Sequence, residues 1–462
     1  MKINLITSTI LLSSMLSIMM LSCDSFTEVN LPKSQMTSEG VFNDYATADA
    51  ALTDIYSKMR DTGILTGSSS GISIQLGNYT DELVAFGTPT STTVSFFNNA
   101  VLPSNSNISD YWNSSYNEIY AANAVLEGTE ASTVISAENK AKLQGESLFI
   151  RAFVHFYLVN LFGDVPYIKT TDYAANSFPA RQTAEDVYKN ITADLLSAAE
   201  LLPDAYTNTE RIRPNRFTVR AFLARVYLYR GLFAEASNES SAVLNQNALY
   251  SLNPNLNQVF LIGSKETIWQ LKPAVAGQNT KEGITFIFLS GPPGLTSVSA
   301  ELYNSFASAD LRKTNWIKEV KNGNDSWYHS SKYKEQNFTA VSKEYSIIFR
   351  TAEQYLIRAE ARAQQGDLIG AKEDLNKIRQ RAGIQNTPAL TKEEILLAVL
   401  QERKWEFFTE NAHRFFDLKR SNSIDAVLSV VKPGWNRTDS LLPIPQSELS
   451  ANPNLRPQNA GY

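Results

Sequence analysis

Acidic side chains are the first candidates for chemistry in this chain. Glu402, Glu406 and Glu410 recur every four residues, so they share one face of a helix. Hydrolysis of a glycosidic bond needs two carboxylates at a set separation in space, and spacing along a sequence does not exclude that. Arg403, Lys404 and Arg414 lie close by, however, and the favoured reading of the triplet is a charged surface or a salt-bridge network. Asp81 and Glu82, in "NYTDELVAF", are polar ligand contacts, ordinary loop acids or a helix start. Of the three histidines, His155 lies on an apolar helix face and His413 in "NAHRFFDL"; both read as packing residues. His329, in "SWYHSS", stands in an aromatic loop where it could touch a ligand. No HExxH, CxxC, GxSxG, GxxxxGK[ST] or GxGxxG occurs, so no motif announces a metal, a nucleophile or a bound phosphate. No cofactor and no metal are expected.

One nucleophile remains. Cys23 is the only cysteine in 462 residues, and it stands where an apolar run meets the first acidic residue, Asp24. Lys2 is followed by Ile, Leu and Met diluted with Ser and Thr, which are the parts of a secretory signal. The run is just long enough to span a bilayer, so a retained anchor is the alternative. Met20-Leu21-Ser22-Cys23 resembles a bacterial lipobox, with residues 1–22 as the signal peptide. That resemblance implies acylation of Cys23. At about 0.8 kcal/mol per buried methylene, several acyl chains hold a protein firmly on a membrane.

Behind these candidates must stand elements that position them. The chain is 43% hydrophobic and its net charge is −5, with no basic stripe; it can bury a large core, and a nucleic-acid partner is not expected. A helix is predicted over about 45–60 and another over 184–202, and helical patterns fill "YWNSSYNEIYAANAVLEG" and "AKLQGESLFIRAFVHFYLVNLFGDVPY". Trp112, Tyr116 and Tyr120 recur every four residues and are expected in the core. Two segments share a layout: Ala224, Gly231 and Ala236 match Ala359, Gly366 and Ala371 in spacing. Small Ala lets paired helices approach and Gly permits the turn, so both segments resemble tetratricopeptide-type helix hairpins. Residues 61–110 and 247–348 are irregular, rich in turn formers, with a few short β-like runs and many aromatics. Candidate ring plates there are Tyr79, Phe86, Phe96, Phe97, Trp269, Tyr303, Trp316, Trp327 and Tyr328.

Together "CDSFTEVNLPKSQMTSEGVF", "YWNSSYNEIYAANAVLEG", "GESLFIRAFVHFYLVNLFGDVPY", "FRTAEQYLIRAEARAQQGDLIGAKEDLNKIRQRAGI", "ERKWEFFTENAHRFFDLKR" and "LLPIPQSELSANPNLRPQNAGY" resemble the SusD/RagB family of Bacteroidetes lipoproteins, in the family's order. The resemblance implies a mainly α fold: a tetratricopeptide-like helical hairpin scaffold with long irregular loops and a few short β-strands. It implies a single SusD-like domain over 23–462, with an N-terminal part at 23–230 and a C-terminal part at 247–462. It implies a non-catalytic lipoprotein on the cell surface of the outer membrane. Such a protein captures a glycan or oligosaccharide, or a peptide, and delivers it to a SusC-like TonB-dependent barrel. Ligand loops at 61–110 and 263–345 follow from the same resemblance, which by location favours Phe96, Phe97, Asn99, Trp316, Trp327 and Tyr328 as ligand-binding residues. The chain has Phe where some starch binders of the family have Trp, which argues against a starch-like ligand. The alternatives are a secreted hydrolase with its carboxylates in the loops and a peptide-binding tetratricopeptide-type adaptor. Cys23→Ala is expected to release the protein from membranes into the soluble fraction; detergent-phase partitioning of the variant checks it.

Overall fold

A computed structural model describes residues 38–462, so Cys23 and the signal segment lie outside the described residues. Helix Tyr45–Asp61 buries Ala48, Leu52, Ile55, Tyr56 and Met59, the stripe its periodicity predicts. Two long helices, Ser106–Ala131 and Ala137–Phe162, pack side by side at the centre. Asn105 and Ser136 cap them, their side chains accepting from backbone N–H groups that the first turn leaves free. From Leu143 onward the second is buried on nearly every side, which the apolar content of that stretch requires. It ends at Gly163, whose φ of +76° suits a glycine.

The repeated segments form the expected hairpins, Arg216–Tyr229 with Phe233–Leu244 and Thr351–Gln364 with Leu368–Arg381. Gly231 and Gly366 turn them at φ +72° and +88°. Ala224, Ala236, Ala359 and Ala371 are all fully buried, and helix Phe233–Leu244 packs on Thr351–Gln364, so the hairpins stack. The fold is mainly α, as its sequence implies.

The short strands are β1 (Leu83–Ala85), β2 (Thr267–Leu271), β3 (Thr296–Val298), β4 (Ile317–Asn322), β5 (Asp325–Ser330) and β6 (Ser346–Arg350). An antiparallel sheet runs β1-β3-β5-β4, and β2 pairs with β6. The 61–110 segment is more regular than expected. It contains helix Ile72–Tyr79, all of whose residues are buried, and helix Thr92–Phe97. A helix enclosed on all sides has no polar face, so no period marks it. Tyr120 also departs from expectation: Trp112 is buried and Tyr116 partly so, but Tyr120 is 55% exposed. A step of four residues overshoots a turn by about 40°, so two steps swing the ring about 80° away.

Glu402, Glu406 and Glu410 form a network, and it is internal. Arg350 reaches Glu266 at 3.0 Å, Glu406 at 2.5 Å and Glu410 at 2.8 Å. Arg381 holds Glu266 at 2.8 Å and also binds Glu406. Arg312 spans Asp310 at 2.7 Å, Glu402 at 2.7 Å and Glu406 at 3.1 Å. Lys332 meets Glu410 at 2.5 Å, and Arg379 closes on Glu402 at 3.0 Å. Five cations therefore face five anions with little or no contact with water. Burial alone would raise the Glu406 carboxyl; the guanidiniums of Arg381, Arg350 and Arg312 outweigh it and hold the group well below the usual range.

The turn that follows, before helix His413–Arg420, runs through left-handed backbone at Thr409, Asn411 and Ala412, with φ of +58°, +44° and +59°. Asn411 N–H donates to Ser73 Oγ at 2.9 Å and its Nδ2 to the Ile347 carbonyl at 3.3 Å, while Thr409 Oγ1 donates to Ser330 Oγ at 3.0 Å.

Removing one partner of a buried ion pair costs about 3–5 kcal/mol, because the other charge stays unpaired. Arg350→Met is expected to lose that much in urea unfolding. A carboxyl depressed in the fold stabilises it above the unfolded value of about 4.3, and that contribution fades as pH falls below it. Wild-type stability should therefore drop below about pH 4.5, and the drop should be shallower in Glu406→Gln.

Candidate functional site

Side chains alternate across a strand, and this sorts the rings of β5. Tyr328 points to the side of Leu83, Val298 and Ile317, which are core residues. Trp327 and His329 point to the opposite side. Two neighbouring residues named together as ligand plates thus lie on different faces of one sheet.

On the first face Tyr328 stacks on Tyr303 of helix Ala300–Ser305, with centroids 3.9 Å apart and planes 16° from parallel. Lys313 Nζ sits 4.2 Å from the Tyr303 centroid. A ring stacked face to face on one side has only its other side for a cation, so Lys313, Tyr303 and Tyr328 form three layers. Burial raises the Tyr328 hydroxyl, and Glu319, its register partner on β4, adds to the shift. At pH 7 the phenol therefore keeps its proton and can donate it to a ligand oxygen.

On the second face the backbone at Gly291 closely approaches the six-membered ring of Trp327. A Cβ there would stand 2.1 Å from it, so the "SGPPG" turn needs glycine at this position. His329 is buried, its Nδ1 lies 3.0 Å from the Ser330 carbonyl oxygen and Phe288 packs on its ring; burial lowers its pKa.

The other sequence candidates fall into separate places. Phe96 is fully buried against Tyr79, and Trp316 is fully buried with its Nε1 donating to the Leu256 carbonyl at 3.0 Å. Lys332, Arg350 and Arg381 all lie within 6 Å of the Trp316 ring, so it roofs the ion network. Neither Phe96 nor Trp316 offers a face to solvent; both are core residues, a correction to their placement among the ligand plates. Tyr79 and Trp269 are core as well. Phe97 is half-buried, with Lys432 Nζ 3.8 Å from its centroid. Burial pulls that lysine down to about 7. Asn99 is buried in left-handed backbone at φ +54°, and its Nδ2 donates to the Tyr79 carbonyl at 3.0 Å while its Oδ1 has no partner. Sequence reasoning passed over Lys313, Glu319 and Lys432; only the strand register and the folded loops bring them to the rings.

The acids are engaged elsewhere. Asp81 pairs with Lys404 at 2.7 Å and Arg414 at 2.8 Å. Burial, with the charge of Asp81, raises Glu82 to about 8. Among the described residues no three His, Cys, Asp or Glu side chains gather as metal ligands, and no helix is long and apolar enough to cross a membrane.

A family model described as "Starch-binding associating with outer membrane" matches residues 28–228, and one described as "SusD family" matches 304–462. The chain belongs to the SusD/RagB family. SusD-like protein P2 of Formosa agariphila is 28% identical over 417 residues, covering 78% of this chain and 81% of that one. Among solved structures, a SusD superfamily protein from Parabacteroides distasonis superposes with a TM-score of 0.78 at 23% identity, covering 93% of this chain and all of that one. A laminarin-binding SusD-like protein superposes with a TM-score of 0.76 at 23% identity, over 90% of this chain and 99% of that one.

Trp316→Ala should cost about 3–5 kcal/mol of stability, as for a large core ring, whereas Tyr328→Ala should cost about 1 kcal/mol. Parallel urea denaturation of the two variants checks the assignment of core and rim.

Proposed function

We propose that this chain is a non-catalytic lipoprotein of the outer-membrane surface. It is held by acylated Cys23, captures a glycan and hands it to a SusC-like TonB-dependent barrel. The observation that carries the reading is the Lys313–Tyr303–Tyr328 stack at the rim of β5, on a body of this family. Sugar rings present flat C–H faces edged by hydroxyls. An aromatic plate covers the face, and rim groups such as the Tyr328 hydroxyl and Glu319 meet the edge, while Lys313 backs the stack from the far side of Tyr303. Trp327 and Phe97, both half-buried, supply further plates from the other face of β5 and from helix Thr92–Phe97, with Asn99 setting the turn beside Phe97. The laminarin-binding neighbour supports a glycan as the ligand class. The engagement of Asp81, Glu402, Glu406 and Glu410 in ion pairs supports a protein that binds without hydrolysing.

The energetics suit capture followed by release. A large aromatic buries roughly 150–250 Å² when fully covered, and a one-sided stack gains part of the ~4–6 kcal/mol this represents at ~25 cal/mol/Å². Association costs remove several kcal/mol, which leaves affinities between micromolar and millimolar for two or three plates. A glycan array with the soluble form lacking residues 1–23 tests the reading. Binding to at least one oligosaccharide is expected, weakened tenfold or more in Tyr328→Ala and Trp327→Ala, with the bound glycan recovered intact. Array silence, or cleavage abolished by a single Asp or Glu substitution, would defeat it.

A further inference from the structure

A cavity of about 460 Å³ opens between helix Tyr45–Asp61, the first turns of helix Ala137–Phe162, the 207–213 segment and the end of β2. It shares no lining residue with the rings around β5. Its wall carries a fixed cluster of ionised groups. Arg213 donates from Nε to Glu146 at 2.5 Å, from Nη1 to Thr53 Oγ1 at 3.0 Å and from Nη2 to Asp49 at 2.7 Å. Three of its five N–H hydrogens are thereby engaged and two are left over. Glu146 is only 3% exposed, and its Oε2 also accepts from the Tyr56 hydroxyl at 2.6 Å. Its Oε1 accepts from no group among the described residues, so a nearly buried carboxylate brings an open acceptor to the cavity it lines. The Tyr45 hydroxyl, on the same wall, likewise makes no hydrogen bond among the described residues. Burial and Asp49 push its pKa up while Arg213 and Lys142 pull it down, which sets the phenol among those charges.

The kinds of groups that remain open select the ligand. Four cations line the wall and each is already paired, Arg213 with Asp49 and Glu146, Arg60 with Asp61, Lys142 with Glu138 and Lys272 with Glu210, so no unpaired charge is left to select an anion or a cation. An apolar occupant would strand Glu146 Oε1 and the spare Arg213 hydrogens without partners. Vicinal hydroxyls meet the demand, since each both donates and accepts: one gives its hydrogen to a carboxylate while its neighbour takes one from a cation. The volume suits a small molecule. We propose that this cavity is a second saccharide site, taking one or two neutral sugar units at the end of a chain. The ligand class rests on the glycan-binding reading above, but the site itself does not depend on the rings of β5.

Saturation-transfer NMR on the soluble form, with millimolar methyl glycosides of glucose, galactose, mannose and N-acetylglucosamine, tests it. Alanine and lysine serve as zwitterionic and cationic controls. At least one glycoside should give a signal that falls tenfold or more in Ser57→Trp and in Ala274→Trp, which obstruct the cavity from two sides, and that is unchanged in Tyr328→Ala. Circular dichroism confirms that both obstructed variants are folded. Silence from all four glycosides, a signal that survives both obstructions, one lost in Tyr328→Ala, or signals from the amino acids alone would overturn the proposal. A retained cavity signal with a silent glycan array would overturn the β5 reading and leave this one standing; the reverse would overturn this one alone.

Discussion

The charge network around Arg350 is the constraint on which the rest of the structure depends. Its members come from many parts of the chain: Glu266 just before β2, Arg312 in a short helix, Lys332 after β5, Arg350 at the end of β6, Arg381 at the end of a hairpin and Glu406 near the end of another helix. Taking so many charges out of water is unfavourable unless every one finds its partner. The network therefore forms only when all these elements are correctly placed, and it fixes their mutual positions once formed. Trp316 lies over it as a lid, and β4 begins at the next residue. The ribbon that carries the solvent-facing rings thus grows from the most strongly determined point in the molecule.

Strand geometry then divides the rings. Alternation along β5 sends Tyr328 to the side shared with Tyr303 and Trp327 to the side closed by the Gly291 turn. The layered tyrosines are held from behind by Lys313, so their orientation is set before any ligand arrives. Such preorganisation lowers the entropy lost on binding.

How much of this was legible in the sequence differed from one element to the next. The hairpins were readable because Ala and Gly at fixed intervals have few other uses. Helix Tyr45–Asp61 was readable from its apolar stripe. The family was readable from the order of its phrases, where no one phrase was decisive. Phe96 and Phe97 are adjacent and alike in composition, yet one is core and the other rim; a six-residue helix gives too little periodicity to tell them apart. Spacing alone likewise placed Glu402, Glu406 and Glu410 on one face without saying what that face meets. It met arginines from distant segments instead of water. Trp316 and Trp327 both stood in a polar, aromatic stretch, and only the ion network drew one of them inside.

The left-handed turn at Thr409, Asn411 and Ala412 bears on the order in which the molecule assembles. Each non-glycine residue in that conformation costs about 1–2 kcal/mol before anything compensates it. The compensating bonds go to Ser330 and Ile347, 79 and 64 residues back along the chain, and to Ser73, 338 residues back. Bringing together positions so far apart is slow, since the entropy of closing the intervening loops is lost first. This short stretch is accordingly a clasp between early and late parts of the chain, and its strained backbone is compensated only where both are in place.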